Sequence, residues 1–545
     1  MLKKTLLFVL FSLNLQAQGL PFLPVQDGGR LKPFDTFARE SLKLVFGSTT
    51  YRPMNKNGAS KKEAWEVVFT WMLVPQEWEK TPFFLIRHSG VREYLKLDKK
   101  RLYYSPQEIQ ENERLPLLMQ ELQTKRSQRE KLNPFYQAAQ TLENQLLLFH
   151  AIAMGAAIRV LPQRTRDSWL AVNELQGEWQ ERFQKITSAF VKSIQKEGGP
   201  KNSVLLEQAV SSFIKEAQKI FPKKYADMAK IRLEVHYNSF HPFMWAWIVL
   251  LVGFLFLVFS LLSEKSSWTY KSAWGFSLLG MALMIYGMGI RVFLAGRPPV
   301  SNMYETVIWV SFGTLLFGMI LEKIYKYKII LLAAQVVSIL CLIISDLSPA
   351  VLDPSLQPLQ PVLRDTFWLT THVLIITLSY AAFFLAFLLG DLVLVYYLIS
   401  EERFKDRIKQ GVQMIYRAMQ IGVVLVAAGT ILGGIWADYS WGRFWGWDPK
   451  ETWAFITLMG YLAVLHARLI GLIRELGMAV SAVLAFSLVL MAWYGVNFVL
   501  GAGLHTYGFG AGGVEYVAGF VILHVLFVTY VLSYRHFRKK QEMMR

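Results

Sequence analysis

Polar and apolar positions divide the chain into two territories. From Phe243 onward, apolar residues gather into runs at about 243–262, 273–294, 303–321, 329–347, 368–399, 414–436, 452–471, 477–500 and 513–534. A helix needs roughly 20 predominantly apolar residues to cross the hydrocarbon of a bilayer. The pattern therefore predicts an all-α polytopic membrane protein of about nine transmembrane helices. Residues 19–240 are polar, charged and free of such runs, and read as a separate, mainly helical domain. Within it, Pro134–Ala157 and Asp167–Ile194 carry apolar residues at helical spacing. Gly198-Gly199-Pro200 reads as a break between helices. Pro24-Val25-Gln26-Asp27-Gly28-Gly29-Arg30 reads as a turn leading into Pro33-Phe34-Asp35-Thr36. No catalytic constellation stands out in this domain.

The first residues add a direction. Met1-Leu2-Lys3-Lys4 is basic, Thr5–Ala17 is apolar but short, and small residues stand near Ala17. Residues 1–18 thus read as a signal peptide or N-terminal anchor, which places 19–240 outside the cytoplasm. With nine spans following, the C-terminus falls inside. Charge tests this arrangement. Seventeen Lys and Arg residues fall in the segments assigned inside, among them Arg403, Lys405, Arg407 and the tail with Arg535, Arg538, Lys539 and Lys540. Five fall outside: Arg291, Arg297, Arg364, Arg443 and Lys450. That bias matches the positive-inside rule. It accounts for much of the net charge of +18 among 545 residues without invoking nucleic acid, and leaves a moderately basic N-terminal region unexplained. The expected domains are 19–240 outside, 241–536 in the cytoplasmic membrane and a basic cytoplasmic tail at 537–545.

The candidate chemistry lies between runs six and seven, at 436–453. There Trp436, Trp441, Trp445, Trp447 and Trp453 are interleaved with Gly442, Arg443, Gly446, Asp448, Pro449, Lys450 and Glu451. An interfacial aromatic belt needs one or two tryptophans per helix end, not a glycine-punctuated cluster with charges. Indole faces suit a flat apolar ligand such as a porphyrin, and glycine lets backbone and ring approach closely. Arg443 and Lys450 are placed to pair with its propionates. Haem iron also needs axial ligands, and imidazole is a common one. His372, near the outer end of run five, and His505, between runs eight and nine, fall on the same side as the tryptophans. His466 lies about 14 residues into run seven, and His524 midway along run nine. Ionisable residues at such depth are costly and usually functional. For both, hydrogen bonding to a neighbouring helix is the alternative. His88, His150, His236, His241 and His536 read as ordinary surface or core residues. The loop Arg297-Pro298-Pro299-Val300-Ser301-Asn302-Met303-Tyr304-Glu305 reads as a fixed turn, with Glu305 near free N–H groups at a helix mouth. The one cysteine, Cys341, sits inside an apolar run, so no intrachain disulfide forms and any reacting thiols belong to a partner.

Trp441-Gly442-x-x-Trp445-x-Trp447-Asp448-Pro449-Lys450-Glu451-Thr452 resembles the WWD segment of haem-handling membrane proteins. The Asp-Pro-Lys-Glu-Thr ending and Tyr461-x-x-x-x-His466 resemble the CcsA (ResC) family of System II cytochrome c biogenesis more than its CcmC and CcmF relatives. The resemblance covers about 243–536 and the Pro24–Asp35 segment. It implies haem b as substrate and bound ligand. His372 and His505 would hold the outer iron beside Trp441, Trp445, Trp447 and Asp448, and His466 the inner iron. In the family the second inner ligand comes from CcsB (ResB), so a CcsB-like membrane partner is expected, with His524 as the competing candidate. The implied activity is that of a cytochrome c synthase (haem lyase) component. It would export haem and present it to the CxxCH of apocytochromes c, with a thiol-reducing thioredoxin-like protein as a further candidate partner. Two other readings use the same residues: a haem relay without attachment activity, and a bis-histidine electron-transfer subunit.

Overall fold

A computed structural model describes residues 19–53, 61–130, 132–194, 200–225, 227–263, 267–347, 352–357, 366–500 and 513–544. The chain forms two compact units, Met1–Phe240 and His241–Arg545.

The first unit is mainly helical, with four small antiparallel ladders of two strands each among the described residues. It opens on a hairpin, β1 (Pro24–Asp27) and β2 (Arg30–Pro33), paired Pro24 to Pro33 through Asp27 to Arg30. Its two-residue turn has Gly28 at φ 57° and Gly29 at φ 77°. Positive φ at both positions is the requirement of the tight hairpin turn that matches strand twist. The turn read from sequence is thus a hairpin that delivers α1 (Phe34–Phe46). Helices α2 (Ala64–Leu73), α3 (Pro134–Ala153), α4 (Glu178–Ile194) and α5 (Val204–Ile220) pack around an aromatic core that includes Phe34, Phe69, Trp71, Phe149 and Phe190. Two expectations shift here. Helix α3 stops at Ala153 rather than Ala157, before Gly155 at φ 70°. The stretch from Asp167 is not helical until Glu178, and Leu170–Ala171 pairs with Arg159–Leu161 as a strand. The side chain of Gln26 takes the backbone there, accepting from Trp169 N at 2.7 Å and donating to Asp167 O at 2.8 Å. Gly198 and Gly199 lie outside the described residues; Pro200–Asn202 forms a 3-10 turn before α5.

Helix α6 (Met228–Phe240) closes this unit through buried polar bonds. Glu234 accepts from Arg30 at 2.8 and 2.9 Å and from Thr36 at 2.8 Å. One turn on, Asn238 donates to Asp35 at 3.0 Å and Thr36 at 2.9 Å. Lys32, only 2% exposed, is satisfied by Asp27 and Glu40 at 2.7 and 2.6 Å.

The second unit contains α7 (Pro242–Leu262), α8 (Ser267–Ala295), α9 (Met303–Tyr325), α10 (Ile329–Leu347), α11 (Thr366–Ile399), α12 (Lys405–Trp441), α13 (Pro449–Leu469), α14 (Glu475–Leu490) with a π-helical extension Met491–Leu500, and α15 (Val514–Met544). Among the described residues nine helices are long and apolar enough to cross a membrane, the first of them continuous with α6. Lipid tails supply no hydrophobic drive between such helices, so they associate through close packing of small residues and interhelical hydrogen bonds. Both occur. Ser311 and Ser338 exchange bonds to each other's carbonyls across α9 and α10 at 3.1 and 2.9 Å. Gln335 reaches Ser277 of α8 at 2.8 Å. Along α12, Gly411, Gly422, Gly429 and Gly433 fall on one face and meet Val393, Phe383, Ile376 and His372 of the antiparallel α11. A methyl added at Gly429 would lie 2.8 Å from Ile376 Cβ, and one at Gly433 2.6 Å from His372 Cε1. Cys341 is buried in α10.

Candidate functional site

The tryptophan segment divides into three parts. Helix α12 runs further than the apolar run implied, to Trp441, and Gly442 ends it at φ 69° with its N–H on Asp438 O. Trp436, expected in the loop, is therefore inside the helix and 1% exposed, edge-on to Trp441 with centroids 4.7 Å apart. The loop proper is 443–448. Its end is a strong helix start: Asp448 as cap, Pro449 in the first position and Glu451 three residues after the cap. Asp448 accepts from Lys450 N at 2.9 Å, and Glu451 accepts from Asp448 N at 3.2 Å. This reciprocal box satisfies donors that a helix start leaves open. Glu451 also accepts from Gly446 N at 2.8 Å and pairs with Arg443 at 3.3 Å. One carboxylate thus gathers both ends of the loop.

That scaffold displays aromatic faces. Trp447 adopts φ 55°, rare for a bulky side chain, and its indole is 68% exposed. It stands perpendicular to Trp445 at 5.8 Å and to Phe455 at 6.4 Å. The Arg443 guanidinium lies over Trp441 at 5.8 Å and crosses Gly446, where any side chain would collide with it.

His372 is brought to the same turn of α12. Its ring rests on Gly433, and the ring of Phe444, from the tryptophan loop, rests on the adjacent Gly434, where an added methyl would lie 2.6 Å away. One turn before His372, Trp368 stacks on Tyr439 at 6.0 Å and 17°. His372 Nδ1 is 2.7 Å from Gly429 O. A carbonyl only accepts, so Nδ1 carries the proton and Nε2 the lone pair that a metal would take. His505 lies outside the described residues.

His466 is on α13, 17 residues after Pro449 and hence roughly 25 Å along the helix axis from the tryptophan loop. Its side chain is exposed, and Nδ1 bonds Leu462 O of its own helix at 2.7 Å, which again leaves the lone pair on Nε2. His524 differs. Nδ1 lies 2.7 Å from Phe520 O, while Nε2 faces Asp391 of α11 at 3.4 Å. Both ring nitrogens are therefore spent inside the protein. The cavity beside it, about 110 Å³ and lined by Phe387, Phe486, Ser487 and Phe520, is too small for a porphyrin.

Lys450 Nζ donates to Asn497 Oδ1 of the π-helical segment at 3.2 Å. Asn497, Gly433, Gly434 and Asp391 were not singled out from the sequence. The Gly429-x-x-x-Gly433 spacing was a readable signal of close helix approach, and Asp391 a readable ionisable group within an apolar run. Glu305 is buried at the mouth of α9, held by Arg291 at 2.7 Å and Ser301 at 2.6 Å. Arg291 also donates to Pro354 O at 2.9 Å, so this pair fixes the turn between α8 and α9.

Fold and site together describe a polytopic membrane protein of cytochrome c assembly, and the comparisons agree. The family described as cytochrome C assembly protein matches residues 300–505. The cytochrome c biogenesis protein CcsA of Guillardia theta is 32% identical over 289 residues, covering 48% of this chain and 94% of that protein. A CcsA of Prochlorococcus marinus (strain MIT 9515) is 32% identical over 291 residues, covering 48% and 90%. The chain belongs to the CcsA family of cytochrome c biogenesis proteins. Protein NrfI of Wolinella succinogenes is 27% identical over 513 residues, which is 88% of this chain and 53% of NrfI. That match takes in much of the N-terminal unit, and the chain spans about half of NrfI.

Proposed function

We propose that this protein carries haem across the cytoplasmic membrane and presents it on the outer side for covalent attachment to apocytochromes c, acting with a CcsB-like membrane partner. The observation that carries the reading is the meeting of His372 and the tryptophan loop on Gly433 and Gly434. It sets a ligand nitrogen of fixed tautomer beside exposed indole faces. The donor set suits haem: a neutral imidazole for iron, flat aromatic surface for the macrocycle, and Arg443 and Lys450 for the propionates. His505 is the second outer ligand in this reading. The apocytochrome supplies the CxxCH thiols. Each S–H adds across one vinyl C=C, the sulfur to one carbon and the hydrogen to the other, so no oxidant is consumed. The protein's part is positioning, and no nucleophile of its own is needed.

His466 is the inner ligand in this reading. Its exposed ring faces away from the bundle, which favours a second histidine from the partner, while the engagement of His524 with Asp391 disfavours His524 in that role. The N-terminal unit and the tryptophan loop stand outside the cytoplasm, and the basic C-terminus inside. The test is purification of the complex with its bound haem. His372→Ala and His505→Ala should each lose the low-spin bis-imidazole spectrum and the yield of cytochrome c. Unchanged spectra in both variants would sink the reading. A complex that binds haem but forms no thioether-linked cytochrome in a host lacking its own attachment system would reduce it to a relay.

A further inference from the structure

An amide inside a membrane span must find its partners within the protein, because hydrocarbon offers none. Asn497 is 8% exposed in the π-helical extension of α14. Its two ends serve different elements. Nδ2 donates to Trp493 O at 2.8 Å, one turn back, and Oδ1 accepts from Lys450 Nζ at 3.2 Å. Trp493 in turn donates through Nε1 to Thr306 Oγ1 of α9 at 3.3 Å. A strut therefore runs from the start of α13, through Asn497, to the start of α9. Extended π-helix is rare and is found mostly at functional sites; here ten residues of it carry the strut.

The chemistry of the acceptor matters. The other loop cation, Arg443, is held by a carboxylate, which cancels its charge. Asn497 is neutral, so it aims the Lys450 ammonium without cancelling it. We propose that Asn497 is a positioning residue that keeps Lys450 a directed cation for a carboxylate of the substrate, so that the site selects a porphyrin with free propionates. This rests on the haem-site reading above and adds the means of selection.

The test compares haem with its dimethyl ester, in which both propionates are neutral, on the full chain purified in its membrane complex. The wild-type protein should prefer haem by roughly tenfold or more, the scale of a charge-assisted hydrogen bond. Asn497→Asp supplies a carboxylate to Lys450 and should abolish most of that preference. Asn497→Ser, a neutral acceptor, should retain it. Should Asn497→Asp fail to accumulate, Lys450→Gln removes the same cation and should abolish the preference equally. An amide with a packing role alone would weaken haem and ester alike, and an unchanged preference in Asn497→Asp or Lys450→Gln would overturn the inference. His372→Ala run in parallel separates the two readings: if it leaves the haem spectrum intact, the haem site itself is lost, whereas a changed spectrum with unchanged ester preference rejects only the role of Asn497.

Discussion

His372 Nδ1 lies 2.7 Å from the carbonyl oxygen of Gly429, across the interface of α11 and α12. The bond does two things at once: it fixes the imidazole tautomer, and it turns the ring against Gly433, next to the residue that seats Phe444 of the tryptophan loop. A protein–iron bond is sensitive to displacements well under the width of a methyl group, so the glycines matter as much as the histidine.

Gly433→Ala should therefore mimic a ligand mutation without touching the ligand. The new methyl would lie 2.6 Å from His372 Cε1, and overpacking of this kind costs about 1–3 kcal/mol. The ring has to move, and the expected result is loss of the low-spin haem spectrum with protein level preserved. Gly471→Ala, on a helix-connecting turn with open space around it, is the control. A normal spectrum in Gly433→Ala would contradict the seating argument.

The two deeper histidines should separate cleanly. His466→Ala is expected to lower the haem content of the partner complex, because its Nε2 lone pair is set for coordination. His524→Ala should leave haem content nearly unchanged, because that ring spends both nitrogens on Phe520 O and Asp391. Haem per complex, measured by pyridine haemochrome, decides between them; the reverse order would reassign the inner ligand.

Glu451 holds the tryptophan loop closed through Gly446 N, Asp448 N and Arg443. Glu451→Ala removes half of the capping box, worth about 1 kcal/mol in typical helix starts, and releases Arg443. Trypsin should then cut after Arg443 faster than in the wild-type protein, and haem retention should fall. Glu451→Gln can rebuild the box and should restore much of the protection. Equal cleavage rates in all three would remove Glu451 from the scaffold.

In the N-terminal unit, Glu234→Ala leaves Arg30 without its bidentate partner and Thr36 without its acceptor. Breaking a largely buried ion pair from one side costs roughly 3–5 kcal/mol, and Arg30 is 20% exposed, so the lower end is expected. The thermal transition of this unit should fall by several degrees. A transition at the wild-type temperature would show that the hairpin is held by its apolar side alone.

The sequence by itself determined the spans, because hydrocarbon thickness translates directly into a run length that any window can measure. It also determined the helix start at Asp448-Pro449-Lys450-Glu451, since a capping box closes within four residues. Composition singled out the tryptophan segment for the same local reason. The hairpin at Gly28-Gly29 was visible only as a turn, and the strand at Leu170–Ala171 was hidden because Gln26, more than 140 residues away, takes its neighbours' backbone bonds. Only the tertiary structure decided which face of each span meets which. Helix α11 is apolar nearly all round, so periodicity does not orient it. The seating of His372 on Gly433, the pairing of His524 with Asp391 and the reach of Lys450 to Asn497 each depend on the rotation of one helix against another. That rotation is set by the whole bundle's packing and leaves no mark at any single position of the chain.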